Sequence, residues 1–224
     1  MGRIKREFKR PENKRSAKLI VIATEGRKTE RIYFEALAEN YDSTKVHVEV
    51  IEKLNDNSSP EVVLEQLNSF AAEYNLDNED ELWMVIDRDY QSWEVEMIKS
   101  VAQICHQKKG YYLALSNPAF ELWLLLHLVD CTELPQNEKD DLFGNAKVSK
   151  SKTYSKKMLS DLLRGFNEAK YNPDPLISNV DQAIQNAIKL DLSPKTRWPN
   201  YLGTRVYKLV QSILSSSNLT PISA

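Results

Sequence analysis

The sequence predicts an α/β fold: a mainly parallel β-sheet flanked by helices, with a helical C-terminal part. Three observations carry this. From Lys18 onward, short β-branched apolar runs alternate with longer segments of helical period, the pattern of βαβ units. The first run, Leu19-Ile20-Val21-Ile22-Ala23, is apolar without interruption, as a strand covered on both faces requires. After Cys131 the texture changes, strand-like runs stop, and Lys, Ser and Asn become frequent.

Each element follows in order. A helix is expected from about Thr29, with Ile32, Tyr33, Ala36 and Leu37 on its inner face. Val46 to Ile51 alternates through His47 and Glu49 and reads as a strand nearer a sheet edge. Ser59-Pro60 opens the next helix with proline at its first position, and Val63, Leu64, Leu67 and Phe70 supply its apolar stripe. Leu82 to Ile86 is a third strand, and Ser92 to Lys109 a third helix closed by Gly110. Tyr111 to Leu115 is a fourth strand, ending at Ser116-Asn117-Pro118, and Ala119 to Val129 is apolar enough to form a buried helix. Further helices are expected over Lys156 to Phe166, Val180 to Leu190 and Thr204 to Leu214, separated by proline-rich breaks at 172–175 and 193–199. The chain thus divides into a basic arm over 1–17, an α/β core over 18–131 and a helical part over 132–224 packed on that core.

Composition narrows the function. With 224 residues, 42% of them hydrophobic and 28% charged, the chain can bury one sizeable core and is neither disordered nor collagen-like. No window approaches the about 18 uncharged apolar residues of a membrane span, and no apolar h-region follows the basic N-terminus, so a cytoplasmic protein is expected. Cys105 and Cys131 lack the spacing of a zinc site or disulfide framework and read as buried thiols. Neither a G-x-x-x-x-G-K-[ST] loop nor a G-x-G-x-x-G turn occurs, so ATP hydrolysis by this chain alone is not expected.

Charge is uneven. Residues 1–18 hold eight Lys/Arg against Glu7 and Glu12, a net +6, which leaves −8 for the remainder. A second cationic run, Lys147, Lys150, Lys152, Lys156 and Lys157, passes through a Ser-rich stretch without an acid. Such arms suit polyanions, because each cation that meets a phosphate releases condensed counterions, although a solvated terminus and loop have the same composition.

Three acids fall at the carboxyl ends of two expected strands: Glu25 after the first, Asp87 and Asp89 after the third. Ligands of open parallel sheets bind at those ends. Alternation along an extended chain puts Asp87 and Asp89 on one side with Arg88 turned away. If Glu25 converges on them, mutual repulsion either raises a pKa or binds a cation. Magnesium is the natural choice, since it takes a few carboxylates and substrate phosphate, with manganese as a substitute. The implied chemistry is phosphodiester hydrolysis. Glu121, in the first turn of the helix after Asn117-Pro118, is either a further acid of the site or an acid favoured at a helix N-terminus. Arg27 and Lys28 in the first strand-to-helix turn, like Lys156 and Lys157, either face substrate phosphate or are solvated. His47, His106 and His127 fall on separate elements and suit core or surface roles; Tyr154 could stack on a base. A haloacid-dehalogenase phosphatase would place its D-x-D after the first strand, and a receiver domain would have an acidic pair there; neither pattern fits.

Ala23-Thr24-Glu25-Gly26-Arg27-Lys28-Thr29-Glu30-Arg31-Ile32-Tyr33-Phe34, Ile86-Asp87-Arg88-Asp89 and Ser116-Asn117-Pro118-Ala119-Phe120-Glu121-Leu122-Trp123-Leu124-Leu125-Leu126-His127 together resemble the RloB-like family. The resemblance extends through Tyr154-Ser155-Lys156-Lys157 and Ala183 to Ala187, to Gly203-Thr204-Arg205-Val206-Tyr207-Lys208-Leu209-Val210, covering nearly the whole chain beyond the basic arm. It implies a Toprim-like core, in which a glutamate after the first strand and a D-x-D after a later one bind magnesium. Those roles fall on Glu25, Asp87 and Asp89, with Glu121 at an acidic position of the family's own. The segment Tyr90-Gln91-Ser92-Trp93 carries no further acid, so a single metal is expected unless Glu30 or Glu121 contributes. The resemblance also implies a nuclease effector of prokaryotic phage defence, often encoded beside a large ATPase. The competing reading is a non-catalytic nucleic-acid- or partner-binding subunit of a defence complex.

Overall fold

A computed structural model describes residues 16–53, 59–88 and 95–217. Residues 1–15 of the basic arm, with Asp89 and Trp93, lie outside these. Four parallel strands, β1 (Lys18–Thr24), β2 (Val46–Val50), β3 (Glu81–Asp87) and β4 (Tyr111–Asn117), with a short antiparallel β5 (Gly203–Thr204), form one sheet in the order β2-β1-β3-β4-β5. The edge position expected for the second strand is observed.

The period of two along β1 explains why it is apolar throughout. Leu19, Val21 and Ala23 enter one core with Leu82, Met84 and Ile86, while Ile20 and Ile22 enter another with Trp83 and Val85. The first core is closed by α2 (Pro60–Glu73) and α3 (Val95–Gln107), through Val63, Leu67, Ile98 and Val101. The second is closed by α1 (Thr29–Tyr41) and by helices from the C-terminal half, so β1, β3 and α9 (Val206–Ser217) share one apolar cluster. Ser59 caps α2, its Oγ accepting from the Val62 amide at 3.4 Å, and Pro60 needs no partner for the amide it lacks.

These crossovers set the site. The chain leaves β1 over one face, through α1, to reach β2; it returns over the other face, through α2, to reach β3 on the far side of β1. The strand order therefore reverses between β1 and β3, and their carboxyl ends flank the crevice where open α/β sheets bind ligands.

Several expectations need correction. The buried helix over Ala119 to Val129 contracts to α4 (Glu121–Leu125), because the chain tightens into three-residue turns, with the His127 amide bonded to Leu124 O and the Leu128 amide to Leu125 O. Strands do not stop after Cys131: Gly203–Thr204 pairs with Ser116 and Asn117, and the Thr204 hydroxyl bonds that of Ser116 at 2.8 Å. Thr204 therefore precedes the last helix and accepts from the Val206 amide at 3.2 Å. The helix expected over Lys156 to Phe166 is α6 (Tyr154–Leu162), ended by the turn at Gly165, whose φ of +80° suits glycine. The helices α5 (Gln136–Gly144) and α7 (Asp174–Ile177) were not anticipated, since neither carries a long apolar stripe. The third helix ends at Gln107, two residues before the expected Lys109. Both cysteines are buried free thiols, and α8 (Val180–Leu190) spans the expected residues.

Candidate functional site

The site starts from the register of β1 and β3. Thr24 lies opposite Val85, and the Glu25 amide continues the ladder by bonding Val85 O at 2.9 Å. That step places the Glu25 side chain over the end of β3, where its Oε2 accepts from the Asp87 amide at 3.0 Å. The turn that follows is bonded to itself. Thr24 Oγ1 donates to Gly26 O at 2.7 Å, and the Gly26 amide donates to Oε1 of Glu30 at 3.0 Å. A Cβ at Gly26 would stand 2.0 Å from Oε2 of Glu30, so a side chain there would displace that carboxylate.

Glu25, Glu30, Asp87 and Glu121 all line one cavity of about 670 Å³. Glu30 and Glu121 are each only 6% exposed. Burial, aided by the charges of Glu121 and Glu25, pushes the Glu30 carboxyl up to about 7. Desolvation and then Glu25, Glu30 and Glu121 hold the Asp87 carboxyl well above the usual carboxylate range. Glu121 is raised mainly by burial, against the pull of Lys156. Lys156 Nζ lies 2.9 Å from Glu168 Oε2 and 3.9 Å from Glu121 Oε1. Burial alone would lower this ammonium, yet the carboxylates of Glu121 and Glu168 hold it above its ordinary value.

Cations and acids thus share the cavity: Arg27, Lys28, Lys53, Lys147 and Lys156 line it with the carboxylates. Lys157 does not. It pairs with Asp161 at 2.6 Å on the exposed side of α6. Of the other candidates, His127 is buried against Tyr33 and the Trp123 carbonyl, His47 pairs with Asp42, and Tyr154 packs on the core. Lys53 and Glu168 were not picked out in the sequence. Lys53 follows the carboxyl end of β2, a position that could have flagged it; nothing in the sequence marks Glu168.

The donor chemistry fits a hard divalent cation: the acids offer carboxylate oxygens only, they are desolvated, and they repel one another. Among the described residues no group of three or more His, Cys, Asp or Glu side chains is arranged to hold a metal ion. Asp89 lies outside those residues. No helix among them is long and apolar enough to cross a membrane.

A family model described as RloB-like protein matches residues 20–213. No curated protein and no solved structure matches the chain.

Proposed function

Because the chain belongs to the RloB-like family, we propose that its acid-lined cavity is the active site of a metal-dependent nuclease hydrolysing phosphodiester bonds of DNA or RNA. The observation that supports this reading most is the meeting of Glu25, Glu30, Asp87 and Glu121 in one cavity rimmed by cations. Carboxylates can serve a metal, and the cations that share their cavity can serve phosphate.

Glu25 and Asp87 would hold the ion, with Asp89 expected from the sequence as a third donor, in the arrangement of a Toprim-like centre. Held there, magnesium, or manganese in its place, supplies Lewis acidity toward a phosphate oxygen and makes water easier to deprotonate. The chain's own groups do the rest. Lys156 is a fixed cation held between Glu121 and Glu168 and meets the negative charge that develops on the phosphate. Glu30, raised to about 7 by burial, exchanges a proton near neutral pH in the same cavity. Arg27 and Lys28 contact flanking phosphate. In the cell such an enzyme would act as an effector of anti-phage defence, gated by an ATPase encoded nearby, as the family resemblance implies.

The test is incubation of the protein with Mg²⁺ or Mn²⁺ and plasmid, single-stranded DNA or tRNA, beside the Asp87→Asn variant. Cleavage by the wild type and its loss in the variant are expected. If nothing is cut, or the variant cuts equally well, the nuclease reading fails.

The cations Arg27, Lys28, Lys53, Lys147 and Lys156 along the cavity would also serve a second reading, a non-catalytic nucleic-acid- or partner-binding subunit. It predicts binding that weakens steeply with salt and is indifferent to Asp87→Asn.

A further inference from the structure

Lys156, on α6, stands between two carboxylates that differ in freedom. Glu121, 3.9 Å from Nζ, has a side chain only 8% exposed and belongs to the buried wall of the acid cavity. Glu168, at 2.9 Å, has one that is 45% exposed. The ammonium is thus met from within the protein by Glu121 and from the solvent side by Glu168.

The main chain around Glu168 is fixed. Thr29 Oγ1 donates to Glu168 O at 3.3 Å, and the Tyr171 hydroxyl donates to Thr29 O at 2.8 Å, so the segment is tied twice to the first residue of α1. Between these ties Asn167 closes a turn, its Oδ1 accepting from the Ala169 amide at 2.9 Å and its carbonyl oxygen from the Lys170 amide at 2.8 Å. Phe166 and Tyr171, both buried, pack with their ring centroids 5.3 Å apart. The Glu168 carboxylate has no such anchorage. Among the described residues its hydrogen-bond partner is Lys156 Nζ, and rotation about its own side-chain bonds releases Lys156 while the backbone stays in place.

A phosphate that approaches Lys156 from solvent meets this carboxylate first, and two anions cannot share one ammonium without repelling each other. We infer that Glu168 is an internal competitor for the substrate phosphate: it holds Lys156 in the free protein and is displaced when a phosphate binds. A half-exposed ion pair holds loosely, so the displacement is reversible and sets how strong an anion must be to enter. The inference rests on the proposed function for the role of Lys156 as a phosphate contact.

The experiment uses the full chain in EDTA, so that binding is read without cleavage. Fluorescently labelled single-stranded DNA and RNA oligonucleotides are titrated separately by anisotropy at one low salt concentration, and the one the wild type binds more tightly is the probe. The proteins are wild type, Glu168→Gln, Lys156→Gln and the double variant, each checked for folding by circular dichroism. Glu168→Gln should bind about two- to fivefold more tightly, the range that an exposed ion pair is worth. The gain should vanish in the Lys156→Gln background, because it acts through that ammonium. Glu35→Gln removes an exposed acid that pairs with Arg31 instead, and its smaller gain measures the effect of net charge alone. Equal, weaker or undetectable binding by Glu168→Gln overturns the inference, as does a gain no larger than that of Glu35→Gln or one that persists without Lys156. Should Lys156→Gln fail to fold, the comparison of Glu168→Gln with Glu35→Gln decides. Cleavage keeps the two claims apart. Asp87-dependent cutting without the Glu168→Gln gain sinks the competitor and leaves the active site standing; the gain without any cutting does the reverse.

Discussion

The main-chain amide of Asp87 donates to Oε2 of Glu25 at 3.0 Å, a bond between residues 62 positions apart. It is made at the point where the strand order reverses, and it brings the carboxyl ends of β1 and β3 into one crevice.

Replacing Asp87 with Asn removes a carboxyl whose ionisation is opposed by burial and then by Glu25, Glu30 and Glu121. The variant should be more stable than the wild type by about 1–2 kcal/mol, each kcal/mol raising Tm by about 2–4 °C in a chain of this size. Added Mn²⁺ should raise the wild-type Tm and leave that of Asp87→Asn where it was. Thermal unfolding with and without the ion measures both, and an equal Mn²⁺ shift in the two proteins would exclude Asp87 as a ligand.

Gly26→Ala drives a Cβ into the Glu30 carboxylate, which stands 2.0 Å from that position. The carboxylate must swing away and leave the Gly26 amide it now accepts from. A loss of about 1–3 kcal/mol is expected from the broken charged hydrogen bond, together with reduced cleavage. Urea unfolding and a single-turnover assay read the two effects, and wild-type values in both would show that the turn tolerates a side chain.

His127 donates from Nδ1 to the Trp123 carbonyl at 2.9 Å, so its Nε2 carries the lone pair that accepts from the Tyr33 hydroxyl at 3.1 Å. Burial pushes this imidazole down to about 4 from 6.5. The unfolded chain therefore takes up a proton at a higher pH than the folded one. Its contribution to stability is full above pH 6.5, falls as the pH drops toward 4, and is level below that. The fall should amount to about 3 kcal/mol. The raised carboxyls of Glu30 and Asp87 work in the opposite direction, losing their contribution as pH rises. The comparison that isolates His127 is thus wild type against His127→Gln in urea over this range; parallel curves would refute the assignment.

Arg205→Met should cost about 3–5 kcal/mol. Arg205 is 3% exposed; its Nε lies 3.1 Å from Asp191, and its Nη atoms donate to the carbonyls of Ser193 and Thr196. Without it, the buried Asp191 carboxylate keeps the Tyr207 hydroxyl as a hydrogen-bond donor and the charge of Lys208, and the turn over 193–196 loses its tether. Chemical denaturation checks the magnitude. The double change Arg205→Met with Asp191→Leu should recover part of the loss, because it removes the stranded charge as well.

Much of this molecule was legible in the one-dimensional pattern. Leu19 to Ala23 and Leu82 to Ile86 read as covered strands because both faces of a parallel sheet must be apolar. Val46 to Ile51 read as an edge because polar residues alternate along it, and β2 is one. The errors have equally local causes. Gly203–Thr204 is too short to leave a strand signature, and α5 and α7 exist through their packing on neighbours rather than through an apolar face of their own.

What the sequence by itself determined is the set of elements and the ends of strands on which the acids fall, because hydrophobic period and turn residues act over a few positions. Only the tertiary structure decided which ends meet. The order β2-β1-β3 sets Glu25 beside Asp87, and packing of the C-terminal half carries Lys156 and Glu168 to the same cavity. It also decided that Lys53 is buried against the Glu25 carbonyl while Lys157 faces away. A side chain's charge is written in its residue type. Its pKa and its partners depend on the burial and neighbours that folding gives it, and those come from residues tens of positions distant.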